Sequence, residues 1–141
     1  MNNLLRTLFF DEPAGVFAEG QVLTRETASS FDESKLDRDV GFWKCDLFDE
    51  SRLTWSEKVY EIFGFPSTAP VARHEAVERY AKGSREVLER VRTFALTQKL
   101  GFLLDAEITC REGRTRSIRI LAVPVFEQGR MVGLRGAKRL L

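Results

Sequence analysis

Few residues of this chain are of a type and spacing that support catalysis or metal binding. His74 is the only histidine, and it lies between Arg73 and Glu75 in a polar stretch that favours a solvated surface position. The alternative role, an axial haem ligand, would rest on one imidazole with no second ligand beside it. No Ser–His–Asp set, phosphate-binding glycine loop or paired-carboxylate motif occurs. The sequence therefore predicts no metal site and gives no reason to assign an enzyme activity.

The two cysteines, Cys45 and Cys110, are far apart in the chain and form no metal or redox motif. Each lies in a strand-like segment among apolar neighbours, where cysteine behaves as a small hydrophobic residue. We expect both to be inert residues of the core.

A set of aromatic and apolar residues could line a ligand cavity. Aromatic side chains at such spacings more often fill a core than bind a cofactor, so we favour the core interpretation. If a cavity exists, its expected lining residues are Trp43, Cys45, Trp55, Tyr60, Phe63 and Phe94.

Charge and hydropathy exclude several classes of partner. The 22 basic and 21 acidic residues give a net charge of +1, so no overall field attracts nucleic acid or an anionic membrane. The apolar runs are too short to span a bilayer, and the N-terminus lacks a secretory signal. We expect a cytoplasmic protein. Basic residues of the last two strands are interpreted as a solvated face or a docking patch for an acidic protein: Arg111, Arg114, Arg116, Arg119, Arg130, Arg135, Lys138 and Arg139.

The chain divides near residue 40 by composition. Before it, Leu4, Leu5, Leu8 and Phe9 fall on one helical stripe, and this helix is too short to be stable alone. Residues 18–40 are polar and charge-rich and are interpreted as a linker. We therefore expect residues 1–40 to be an N-terminal helix with a polar linker, and residues 41–141 to be one folded domain.

The pattern after residue 40 is strand, turn, strand, helix. Trp55, Val59 and Phe63 recur every four residues and give that helix a buried face. Ser56 is placed to cap its start, and Gly64 to end it in a left-handed conformation. The expected elements are strands over 41–47 and 52–56, a short helix ending at Gly64, helices over 72–81 and 85–98, and strands over 102–111, 115–127 and 131–140.

The second of the last three strands is apolar on both faces towards its end. Because large exposed apolar patches are rare on monomers, something should cover the outer face of this strand. The apolar residues of this strand are Ile118, Ile120 and Ala122 on one face, and Leu121, Val123 and Val125 on the other.

This order of elements resembles a PAS domain, in the subgroup that opens with a Gly-x-Trp strand and is common in bacterial signalling proteins. The resemblance covers about residues 41–136. It implies an α+β fold with a five-stranded antiparallel sheet and short helices on one face, here with an extra N-terminal helix. The residues that carry it are Gly41-Phe42-Trp43, Asp46-Leu47, Trp55-Ser56, Phe63-Gly64, Glu107-Ile108, Gly113, Gly129-Arg130 and Gly136.

Two departures from the subgroup are visible. The His-Pro-x-Asp-Arg signature at the start of the long helix is absent, and Ser84 is expected to take over the capping role of its Asp. The Asp-Ile-Thr ending that couples many relatives to an effector is replaced by residues 137–141. Output is therefore expected to pass through a separate protein or through self-association.

The resemblance implies a non-catalytic signal-transduction module that acts through dimerisation and protein–protein contacts, with no bound cofactor or with a small ligand of unknown identity. The expected partners are a second copy of the chain and a separate signalling protein such as a kinase or regulator, without nucleic acid or membrane. Alternatives are a sensor of haem, flavin or an organic metabolite, and an enzyme on a cone-shaped α+β fold using His74 or Asp105. We expect the N-terminal helix to pack on the outer face of the sheet, either of its own chain or of a second copy. The residues expected at this contact, and at the dimer contact, are Leu4, Leu5, Leu8, Phe9, Leu121 and Val123.

Overall fold

The computed structural model describes residues 1–37, 39–67, 69–110 and 112–141, so Arg111 of the basic cluster lies outside the described residues. The described residues form one antiparallel sheet of six strands, with helices on one face and an N-terminal segment on the other. The strands are β1 (Gln21–Leu23), β2 (Gly41–Asp46), β3 (Arg52–Trp55), β4 (Gly101–Thr109), β5 (Thr115–Glu127) and β6 (Arg130–Leu140). The helices are α1 (Asn3–Arg6), α2 (Arg25–Ser29), α3 (Glu57–Phe63), α4 (Arg73–Val77) and α5 (Lys82–Gln98).

The strand order is β1-β4-β5-β6-β2-β3. Its last five strands are the five-stranded antiparallel sheet expected from the sequence, and the α+β prediction is confirmed. The additional strand β1 pairs with the free edge of β4, Val22 lying opposite Phe102. Cys45 on β2 and Cys110 after β4 are therefore separated by two strands, and both are buried free thiols.

Helices α3 and α5 lie where the sequence predicts helices, but α4 is shorter than the expected 72–81, and the two serine side chains do not cap helices. Gly64 ends α3 with a left-handed φ of 74° as expected. The Ser56 hydroxyl accepts a hydrogen bond from the Phe42 N–H instead of from α3, and the Ser84 hydroxyl accepts one from the Glu107 N–H. Helix α5 begins three residues earlier than expected, at Lys82 after Ala81. Both serines thus join a helix to the sheet, which a local pattern does not reveal.

The inner core lies between the sheet and helices α3 to α5. Leu88, Val91 and Ala95 form the buried face of α5. Two strands approach each other very closely in this region, since a Cβ at Gly136 would lie 1.7 Å from the Leu121 carbonyl oxygen. Only glycine fits there without moving the β5–β6 pair. The fully buried members of this core include Val59, Ile62, Phe63, Leu104, Ile108, Ile118 and Ala122.

The outer face of the sheet is covered by residues of the same chain. Helix α1 continues into a π-helical turn at Thr7–Asp11, and this pair of turns places Leu5 and Phe9 against the sheet. The segment interpreted as a polar linker contains β1 and α2 and contributes buried apolar side chains. The outer core comprises Leu5, Phe9, Phe17, Leu23, Ala28, Phe31, Val40, Leu103, Leu121, Val123 and Ala137.

A buried ion pair fastens this covering segment to the sheet. Arg119 on β5 is 0% exposed and faces Asp105 on β4, with Nε donating to Oδ1 at 2.7 Å and Nη2 donating to Oδ2 at 2.9 Å. The same guanidinium donates to the carbonyl oxygens of Glu12 and Pro13, both at 2.8 Å. The Asp105 carboxylate accepts from the Phe17 N–H at 3.1 Å. The interpretation of Arg119 as part of a solvated face is therefore wrong, because its neighbours Leu121 and Val123 share the covered face.

Asp105→Asn is expected to destabilise the fold by about 3 kcal/mol or more, because it leaves the Arg119 charge buried without its counterion. Urea unfolding followed by circular dichroism measures this. The control is Asp49→Asn in the exposed pair with Arg52, where we expect a loss below about 0.5 kcal/mol. Equal losses in the two variants would contradict the clamping role of Arg119.

Candidate functional site

Lys138 is a buried lysine on the helix-covered face of the sheet. On β6, Lys138 lies on the same face of the sheet as Leu134 and Gly136. Its partners in the neighbouring strands are Ile120 of β5 and Gly41 of β2. Only 7% of its surface is exposed. Its interpretation as part of a solvated basic face is therefore wrong.

Four aromatic rings surround the Lys138 ammonium. Nζ lies 4.9 Å from the ring centroid of Phe63, 5.3 Å from that of Trp43, 5.7 Å from that of Trp55 and 6.0 Å from that of Tyr80. Rings at these distances attract a cation through their quadrupoles. Nζ also donates a hydrogen bond to the Tyr80 hydroxyl at 3.3 Å. No salt bridge to Lys138 occurs among the described residues, so the charge is stabilised by neutral groups.

A cavity of about 50 Å³ adjoins the ammonium. Its walls come from strands β2 to β6, from helices α4 and α5, and from Tyr80 between these two helices. The lining residues are Trp43, Cys45, Leu53, Arg73, Ala76, Val77, Tyr80, Leu88, Arg92, Phe102, Ile120, Leu134 and Lys138.

Burial sets the protonation of both polar groups at the centre. Burial, reinforced by the positive charge of Arg73, lowers the pKa of Lys138 to about 7. Burial raises the pKa of Tyr80 well above its ordinary value, against an opposing effect of Arg73, so the phenol stays protonated. The Lys138 amine is therefore present in both charged and neutral forms near neutral pH.

Two buried indole N–H groups near Lys138 are unsatisfied. Within the described residues, neither Trp43 Nε1 nor Trp55 Nε1 has a hydrogen-bond partner. A buried donor without an acceptor costs about 1–3 kcal/mol, so the site has donor capacity that the described residues leave unused.

The structure brings together part of the cavity set expected from the sequence. Trp43 and Cys45 line the cavity, and Trp55 and Phe63 stack at a centroid distance of 4.8 Å beside Lys138. Tyr60 packs edge-on against Trp55, and its hydroxyl donates to the Ala69 carbonyl oxygen, away from the cavity lining.

Phe94 is not part of this group. It is 49% exposed, because it lies about a quarter-turn from the buried face of α5.

The residues expected at the dimer contact differ in how deeply they are buried. Leu5, Phe9, Leu121 and Val123 meet one another within the single chain, while Leu8 packs at their margin. Leu4 is 55% exposed and points away from the sheet.

Sequence reasoning missed Lys138 and Arg119 because both were grouped with exposed basic residues. A signal was present in the strand parity: Lys138 lies on the same face of β6 as the buried Leu134, and Arg119 lies on the same face of β5 as Leu121 and Val123. His74 is exposed, as expected.

Neither a metal-binding cluster nor a membrane-spanning helix is present in the described residues. No group of three or more His, Cys, Asp or Glu that could hold a metal ion is found in the part of the chain that the structure describes. No helix within the described ranges has both the length and the apolar character needed to cross a bilayer.

Comparison with solved structures identifies the fold. The N-terminal domain of a diguanylate cyclase with PAS/PAC sensor from Marinobacter aquaeolei superposes with a TM-score of 0.64 at 15% identity, over 70% of this chain and 92% of that one. A PAS domain from Colwellia psychrerythraea gives a TM-score of 0.60 at 16% identity, over 72% of this chain and 86% of that one. The light-state dimer of the fungal blue-light photoreceptor Vivid gives 0.62 at 13% identity, over 77% and 82%.

These similarities show that the chain has the PAS fold, which confirms the resemblance found in the sequence. No protein-family model matches the sequence, and no curated protein sequence matches it significantly.

Lys138→Met is expected to remove a pH dependence of stability. Because the pKa of Lys138 falls from 10.5 to about 7 on folding, the unfolded chain binds more protons between these values. The cost of burying Lys138 is therefore fully present below about pH 7 and is relieved as the pH rises. The free energy of unfolding of the wild type should rise relative to that of Lys138→Met by up to about 1.4 kcal/mol per pH unit.

Urea unfolding between about pH 7 and about pH 9 tests this expectation. Lys44→Met, which alters an exposed lysine on β2, should follow the wild type throughout. Parallel curves for the wild type and Lys138→Met would show that the folded chain does not depress the pKa of Lys138.

Proposed function

We propose that this chain is a non-catalytic, cytoplasmic PAS-type sensor module whose input site is the cavity beside Lys138. The observation that carries the proposal is a buried ammonium without an acidic partner at the wall of a cavity inside a PAS fold. A fold stabilised by packing alone gains nothing from such a charge, since burying it costs free energy. A site whose function is to respond to a bound occupant can use the buried charge to recognise that occupant.

A physical connection joins the cavity to the opposite face of the sheet. Arg139 follows Lys138 on β6, so its side chain points to the outer face, where Nε donates to the Phe9 carbonyl oxygen at 2.8 Å. Arg139 also lies opposite Arg119 in the β5–β6 register. A shift of β6 at Lys138 would therefore act on both arginines that hold the N-terminal segment.

The proposed output is a change in how residues 1–17 pack on the outer face. An occupant shifts this equilibrium only by its different affinity for the two packed states. A separate signalling protein such as a kinase or regulator would then meet either the released segment or the uncovered face.

Self-association through the same surface is part of the proposal. If two copies pack their outer surfaces together about a two-fold axis, the partly buried Leu8 of each copy would lie at the contact between them. The dimer named for Vivid shows that a protein with this fold can associate.

The size of the cavity argues against the larger cofactors. Pockets for drug-sized ligands measure about 300–1,000 Å³, so about 50 Å³ leaves no room for haem or flavin without a large rearrangement. A small occupant fits the proposal better than a chromophore.

Lys138→Met is expected to change the protection of the backbone amides of residues 8–17 in hydrogen exchange measured by mass spectrometry. The physical reason is the connection through Arg139, which ties the inner site to the segment. Lys44→Met is the control and should leave the protection of these amides as in the wild type. Unchanged protection in Lys138→Met would refute the coupling between cavity and segment.

Leu8→Asp is expected to reduce the mass of a wild-type dimer to that of a monomer in sedimentation, because it places a charge at the margin of the outer core. Leu4→Asp is the matched control, since the Leu4 side chain is exposed and should leave the dimer intact. A monomeric wild type, or equal effects of the two variants, would remove dimerisation from the proposal.

A further inference from the structure

Part of the cavity lining is cationic. Arg73, Arg92 and Lys138 belong to its lining, and the described lining contains no Asp or Glu. Arg73 is paired with Glu89, which lies outside the lining. Arg92 contacts neutral groups, its Nη2 lying 3.5 Å from Ser51 Oγ and 3.9 Å from Cys45 Sγ. Lys138 and Arg92 therefore leave a positive charge at the cavity that the described side chains do not balance.

The same region presents donors without acceptors. The Trp43 indole N–H belongs to a lining residue, and both it and the Trp55 N–H lack a partner among the described residues. The Lys138 ammonium has three N–H groups, and with the described residues it makes one hydrogen bond, to the Tyr80 hydroxyl. An occupant that carries acceptor oxygens and a negative charge could accept hydrogen bonds from the Lys138 ammonium and the Trp43 N–H, whereas an apolar occupant would leave these two lining groups without an acceptor.

The remaining walls of the cavity are apolar. Leu88 comes from α5, Phe102 from β4 and Leu134 from β6, and all three are buried. These walls suit a short alkyl group and offer no hydrogen bonds to the remaining oxygens of nitrate or phosphate. The volume of about 50 Å³ limits the occupant to a few heavy atoms.

We propose that the cavity binds a short-chain carboxylate of about the size of acetate or propionate, with its carboxylate facing Lys138 and Arg92 and its alkyl group against Leu88, Phe102 and Leu134. This inference rests on the proposed function, because it names the chemical class of the occupant at the same input site. It adds a charge requirement that a PAS fold alone does not impose.

Binding of a carboxylate should depend on pH in a defined direction. The anion favours the ammonium form of Lys138, so binding above about pH 7 requires proton uptake by this residue. The groups that face Lys138 are Tyr80, which stays protonated, and Arg73, Arg92 and Cys45 in the cavity lining. Affinity should therefore fall as the pH rises above about 7.

Isothermal titration of the whole chain with acetate and with propionate at fixed ionic strength tests the inference. We expect saturable binding that is weakened at least about tenfold in Lys138→Met and is unchanged in Lys44→Met. Acetamide, the neutral analogue of acetate, and nitrate, an anion without an alkyl group, should bind at least about tenfold more weakly than acetate. Arg92→Gln is a second variant, which replaces Lys138→Met in the test if that variant does not fold. It should also weaken acetate binding.

Three outcomes would overturn the inference: no saturable binding of either carboxylate, equal binding of acetate and acetamide, or equal acetate affinities in the wild type, Lys138→Met and Arg92→Gln. The proposed function fails by a different measurement, the hydrogen exchange of residues 8–17. A changed exchange together with absent carboxylate binding would retain the sensor module and reject this ligand class.

Discussion

The β5–β6 strand pair carries one buried cationic side chain on each of its two faces. The helices pack over one of these charges, and the N-terminal segment packs over the other. On the outer face, Arg119 uses its guanidinium to bind Asp105 and several main-chain carbonyl oxygens at once. On the inner face, Lys138 lies among aromatic rings without a counterion. One cation is fully paired and fastens a segment, whereas the other is left to respond to its surroundings.

The difference between the two cations follows from their chemistry. A guanidinium is planar, stays charged, and has five N–H donors that match a carboxylate and several carbonyls at fixed angles. A lysine amine loses its proton more readily when it is buried, and the pKa of Lys138 falls to about 7. Arg119 is therefore suited to a permanent attachment, and Lys138 to a site whose charge changes with its contents.

Much of the domain after residue 40 follows from local sequence pattern. The every-fourth-residue stripe of Trp55, Val59 and Phe63 and the glycine at position 64 define α3, and alternation with glycine turns defines the last three strands. The apolar outer face of β5 correctly indicated that something covers it. The structure of residues 18–40 was not evident, because β1 is three residues long and exists only by pairing with the edge of β4.

The sequence by itself determined the strand and helix order after residue 40, the PAS resemblance and the need for a cover over the outer face, because these depend on periodicity along the chain. Only the tertiary structure decided that Arg119 and Lys138 are buried and on opposite faces. The environment of a charged side chain depends on what packs over it from distant parts of the chain: Phe9 and Pro13 in one case, Phe63 and Tyr80 in the other. Strand parity assigns each cation to a face of its strand, and only the distant segments that pack over that face decide that the charge is buried.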